Sequence, residues 1–126
     1  MSDTVTLTFV ARTHNAALAR TVAAVMSARA DLPLDQLEDV RLAVDEAVSQ
    51  SILDAPRDAE VTCTFTHVDS TLEIDVSAPS VSGRPPGTNT FSWTVLSALV
   101  DDVRATVADG TVTISMRVVR NVAVDA

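Results

Sequence analysis

The sequence predicts an α/β fold: a two-layer sandwich in which a mixed, mostly antiparallel sheet of about five strands is covered on one face by three helices. Two observations lead there. Several segments alternate apolar and polar residues with a period of two, and the longer stretches between them repeat apolar residues at helical spacing. Each strand segment also has one apolar and one polar side, so helices need cover only one face of the sheet.

Residues 4–11, TVTLTFVA, put Val5, Leu7 and Phe9 on one side and Thr4, Thr6 and Thr8 on the other. Thr13 is suited to cap the next segment, a helix whose stripe is Leu18, Val22, Val25 and Met26 and which ends at about Arg29, before Asp31-Leu32-Pro33. Pro33 opens a second helix that runs to about Ala55, where Pro56 stops it. Strands at 60–68 and 71–77 turn Val61, Cys63, Phe65 and Leu72, Ile74, Val76 inward, and the turn Val68-Asp69-Ser70 joins them as a hairpin. Residues 78–90, APSVSGRPPGTNT, hold three of the five prolines and two of the three glycines and form the one substantial loop. A third helix, about Phe91 to Val103, carries Val95, Leu96, Leu99 and Val103. Strands at 104–108 and 111–119 follow, joined by Asp109-Gly110, a pair suited to a tight turn with positive φ. No repeat, low-complexity tract or linker divides the chain, which reads as one domain over 1–126.

With 126 residues, 47% apolar and 21% charged, the composition is that of an ordinary globular domain large enough to bury a core. The formal net charge of −8 argues against binding phosphate backbones and favours a basic protein partner. All nine cationic residues are arginine, which removes Schiff-base, P-loop and general-base lysines from consideration. Cys63 is the single cysteine, so no intramolecular disulfide forms, and its place on the apolar side of a strand makes it a core residue. The first thirty residues lack a basic segment followed by an apolar one, and no apolar run approaches the ~20 residues of a spanning helix; a cytoplasmic protein without a membrane segment is expected. His14 and His67 have no cysteine pair or carboxylate constellation around them, so no metal site is expected.

The stretch LEDVRLAVDEAVSQSILDA, Leu37 to Ala55, carries two stripes. Leu37, Val40, Val44, Ala47, Val48 and Ser51 make a core face. Roughly opposite lie Leu42, Glu46, Ser49 and Leu53, with Gln50 at the margin. Most glutamates on amphipathic helices are solvated, and composition alone would leave Glu46 there; the two leucines beside it point instead to the floor of a pocket.

With this element order in place, the residues resemble the bacterial anti-sigma factors of the RsbW type, switch-protein serine kinases of the GHKL superfamily with the Bergerat, or histidine kinase-like ATPase, fold. The resemblance spans nearly the whole chain. VRLAVDEAVSQSI at 40–52 is similar to that family's N-box helix, in which a glutamate acts as general base toward the substrate serine and an asparagine four residues later holds Mg²⁺. Glu46 matches the glutamate, and Gln50 stands in the asparagine's place, one methylene longer. LEIDVSAPS at 72–80 resembles the strand that leads into an Asp-x-Gly turn reading the adenine amino group; Ala78 takes the aspartate's position and Ser80 the glycine's. The loop 81–90 is short beside the family's ATP lid, and the Gly-x-Gly that opens its last helix is replaced by Thr90-Phe91-Ser92-Trp93, a start similar to that of actinobacterial members.

The resemblance implies an anti-sigma factor that sequesters an alternative sigma factor and is released when an anti-anti-sigma antagonist of the STAS type takes the shared surface, commonly as a homodimer. HNAALARTV at 14–22 is similar to the segment whose arginine contacts both partners, and Arg20 matches that arginine. Three altered ATP-contacting elements, at roughly 1–3 kcal/mol each, imply weak or lost nucleotide binding. No cofactor is then expected, and ATP with Mg²⁺ is held only if the degenerate site still functions. Two other readings stay open: an active kinase in which Glu46 and Gln50 support phosphorylation of the antagonist, and a small-ligand module unrelated to sigma factors. Phe91 and Trp93 are expected in the core, with plugging of the pocket as the alternative. Asp101 and Asp102, near the end of the third helix, oppose its dipole by ~0.3–1 kcal/mol each, with Arg104 as a local counterion.

Overall fold

In the computed structural model, which describes residues 2–121, the chain runs β1 (Ser2–Val10), a 3₁₀ turn (Thr13–Asn15), α1 (Ala16–Arg29), α2 (Leu34–Asp54), β2 (Glu60–Val68), β3 (Thr71–Pro79), α3 (Phe91–Leu99), β4 (Asp102–Ala108) and β5 (Thr111–Val119). The strands form one sheet in the order β1-β2-β3-β5-β4. All four neighbouring pairs are antiparallel, so the expected parallel component is absent from the described sheet. Asp109 and Gly110 both have positive φ, 51° and 76°, as the two-residue turn between β4 and β5 requires.

Alternation divides the sheet into two faces. One carries rows of polar residues in register, such as Thr6, Thr64, Asp75, Ser115 and Arg104, and beside it Thr4, Thr66, Glu73, Arg117 and Asp102. The other faces the helices, with Phe65, Leu72, Ile74 and Ile114 buried beneath Met26 of α1, Val40, Val44 and Val48 of α2, and Leu96 of α3. Cys63 lies in this layer, and burial pushes its thiol up to about 12. No helix among the described residues is long and apolar enough to cross a membrane.

Several local expectations are corrected. The buried face of α1 is Ala16, Ala19, Ala23 and Met26, while Leu18 and Val25 are each 49% exposed. Large apolar side chains suggest one face from sequence, but a helix wedged between a sheet and a second helix can approach closely only where its side chains are small. Thr13 does not cap α1: it starts the 3₁₀ turn, and Asn15, which precedes the helix, donates its side-chain amide to the Val10 carbonyl at 2.9 Å. Helix α3 ends at Leu99, well before Val103, because residues from Asp102 onward pair with β5 and Val103 lies opposite Met116. Asp101 and Asp102 therefore oppose no dipole from within that helix. The Asp101 carboxylate instead accepts the Val119 N–H at 2.7 Å, and Arg104 makes no ion pair with either among the described residues.

Gln36, buried in the first turn of α2, fixes where that helix meets the sheet. Its amide donates to the Val119 carbonyl at 2.7 Å and accepts the Asn121 N–H at 3.0 Å, joining α2 to the end of β5. Ser27 is buried more completely, yet its hydroxyl has no partner among the described residues. Gln36→Leu, which strands two backbone groups, is expected to destabilise the fold by about 1–3 kcal/mol in urea denaturation, whereas Ser27→Ala is expected to be neutral or stabilising. Equal losses in the two variants would contradict this assignment.

Candidate functional site

Helix α2 ends over the sheet where β3 is about to leave it, and a cavity of about 290 Å³ opens there. Its floor is apolar. Ala78 and Val112 are register partners on β3 and β5, Ile114 lies two residues further along β5, and all three are buried. The methyl group of Ala78 leaves the space that a larger side chain would fill. One wall is the last turn of α2, with Gln50, Ser51, Leu53 and Asp54; the other is the segment after β3, with Ser80, Ser82, Arg84, Pro85 and Pro86.

Asp54 holds that segment down. Its carboxylate accepts hydrogen bonds from the Ser80 hydroxyl, from the Ser82 N–H at 3.1 Å and from the Ser82 hydroxyl at 3.0 Å, while its carbonyl accepts the Val81 N–H at 2.7 Å. The serines pass the order along: Ser80 Oγ accepts the Gly83 N–H at 2.9 Å and Ser82 Oγ the Arg84 N–H at 3.2 Å, with Gly83 at a φ of 67° that glycine adopts without strain. A carboxylate at a helix C-terminus opposes the dipole, so the donors that surround it offset a local cost. The Ser80 hydroxyl is the main cause that holds the Asp54 carboxyl below its ordinary value; partial burial works against it, and the Ser82 donors add to it.

Gln50 meets the start of α3. The Ser92 hydroxyl donates to its Oε1 at 3.1 Å, and Thr90 caps α3 by accepting the Trp93 N–H at 3.2 Å. The amide oxygen that would have to face a metal is thus already engaged by a hydroxyl. Ala78 has no acceptor to offer a purine, and Ser80 is committed to Asp54. These residues do not fit Mg-ATP in the manner of the resembled family, and no group of three or more His, Cys, Asp or Glu among the described residues could hold a metal ion.

Of the residues singled out from sequence, the fold brings Gln50, Ala78 and Ser80 together around one cavity. Glu46, one turn earlier and half-buried, does not line it, and Leu42 and Leu53 are 58% and 88% exposed rather than walls around that carboxylate. The expected pocket floor at Glu46 is thus not found: the cavity lies further along α2, which forms its wall, and its floor is the sheet. Arg20 is half-exposed and paired with Asp45 of α2 at 2.6 Å. Trp93 is buried as expected, but Phe91 is 84% exposed and belongs to the surface. Sequence reading passed over Asp54 and Arg84. An acid just before a helix-ending proline and a serine pair around Val81 were the available signals, and nothing local joins them.

No family model matches the sequence. The chain is 36% identical over 100 residues to the anti-sigma-F factors RsbW of two Mycobacterium tuberculosis strains, CDC 1551 / Oshkosh and H37Rv, a match that covers 79% of this chain and 60% of theirs. It thus spans about three fifths of the length of these curated relatives. The crystal structure of the RsbU and RsbW domains of a Mycobacterium tuberculosis protein superimposes with a TM-score of 0.76 over 94% of this chain and 32% of that one, at 16% identity, which establishes a shared fold.

Because the folded Asp54 carboxyl titrates below its ordinary value of 3.8, its contribution to stability is fully present above that value and is lost as pH falls through the lower folded one. Asp54→Asn is expected to lack this acid-side step and to speed amide hydrogen exchange at residues 81–84. Exchange as slow as in the wild type would show that something other than Asp54 fastens the segment.

Proposed function

We propose that this chain is one of the RsbW-type proteins, an anti-sigma factor that sequesters an alternative sigma factor and releases it to a STAS-type antagonist, with nucleotide binding weak or lost. The 36% identity to anti-sigma-F factors across 100 residues carries the reading. Its acidic balance and its apolar side chains Leu18, Val25 and Leu42, exposed on α1 and α2, favour a basic protein partner over a nucleic acid. We place the protein in the cytoplasm as a homodimer, as the family resemblance suggests.

Arg20 is the proposed shared contact. Asp45 holds one arm of its guanidinium, which orients the fork and leaves further N–H groups for a partner carboxylate. The loss of catalysis is supported by the engaged Gln50 oxygen, the methyl group of Ala78 and the Asp54 clamp on Ser80. Missing contacts at roughly 1–3 kcal/mol each move a micromolar nucleotide site toward millimolar affinity.

Affinity capture from the native cell is expected to recover a sigma factor, and Arg20→Glu is expected to weaken that capture by roughly tenfold or more. Absence of any sigma factor would reject the function, while unchanged capture by the variant would reject only the Arg20 contact. In parallel, Mg-ATP titration is expected to show no saturation below the millimolar range. Phosphotransfer to the antagonist that Glu46→Ala abolishes would instead establish a kinase.

A further inference from the structure

We propose that the cavity at the end of α2 binds a small amphiphile with an apolar body and a carboxylate head, a ligand class chemically unlike a nucleotide. The inference stands apart from sigma-factor binding and rests on what the cavity offers. Its floor of Ala78, Val112 and Ile114 is apolar, and the apolar surface continues outward through Leu53, which is 88% exposed at the mouth. Val81, 72% exposed, sits between two lining serines. Side chains of this size stay in water only at some cost, so a chain laid along them would gain burial.

The polar inventory fixes the head group. The Ser51 hydroxyl donates to the Ala47 carbonyl at 2.8 Å, and the Ser80 and Ser82 hydroxyls donate to Asp54. The Asp54 carboxylate is in turn covered by those donors. Gln50 accepts from Ser92 through its oxygen, and its NH₂ group has no acceptor among the described residues. Arg84 is the cation of the lining. Like Arg57, Arg104 and Arg117, and unlike the other five arginines, Arg84 has no carboxylate within 4.0 Å among the described residues, and of these four it alone lines the cavity. The N–H groups left unfilled are those of Gln50 and Arg84, one of them charged, and they call for an anionic acceptor; a planar carboxylate matches the guanidinium fork, and no carboxylate of the chain, Asp54 included, lies within 4.0 Å of Arg84 among the described residues to compete for it. A volume of about 290 Å³ suits a small ligand, on the order of eight carbons, at the lower end of pocket sizes.

The full chain is titrated with sodium octanoate below its micellar range, and separately with 1-octanol and octylamine, by calorimetry and amide NMR. Octanoate is expected to bind saturably and to shift the signals of residues 50–54 and 78–86, with the alcohol and the amine at least roughly tenfold weaker. Arg84→Gln, at an exposed position, is expected to lower octanoate affinity by roughly tenfold while leaving octanol unchanged, and Leu53→Ser to weaken both. Octanoate binding no better than octanol, an unaffected Arg84→Gln, or shifts confined to other parts of the chain would overturn the proposal.

Discussion

The burial of α2 against the centre of the sheet is the contact on which the rest of the molecule depends. Val40, Ala43, Val44, Ala47 and Val48 are fully excluded from water, and the three valines at roughly 1.5–3 kcal/mol each outweigh any surface ion pair in the chain. Arg12 with Asp58 and Arg29 with Asp3 are exposed pairs of the kind worth ~0–1 kcal/mol, and they trim the edges of a structure already set. Gln36 locks one end of α2 to β5 and Asp54 locks the other to the segment after β3, so the helix position dictates what is left open at its C-terminal end.

The cavity follows from that geometry. Where α2 stops, the sheet continues with Ala78, and an apolar floor is left open between the last turn of the helix and the segment after β3. The polar groups around the gap are largely paired with one another, Gln50 with Ser92 and Asp54 with Ser80 and Ser82; Asp54 keeps its negative charge, and the Arg84 guanidinium is left without a carboxylate partner among the described residues. The resulting chamber is apolar within and donor-bearing at its mouth.

Period-two alternation located every strand, because each of the five faces helices on one side and solvent on the other and the sequence must record that difference at each position. The stripe Val40, Val44, Ala47 and Val48 was legible for the same reason. On α1 the same reasoning chose Leu18 and Val25, since a pattern ranks residues by hydrophobicity, while the interface selected alanines for their size. The end of α3 differs from the expectation because Val100 and Val103 continue the helical spacing of Leu96 and Leu99, while Val103, Ala105 and Val107 also alternate as a strand, and pairing with β5 decides between the two.

The sequence by itself determined the layer architecture and the hairpins, because these depend on residue identity and local periodicity. Only the tertiary structure decided that Glu46 lies outside the cavity, that Arg20 is tied to Asp45, and that Asp54 closes on a segment 26 residues away in the chain. Contacts of that kind arise from where α2 comes to rest on the sheet, and short-range patterns carry no term for distance through space.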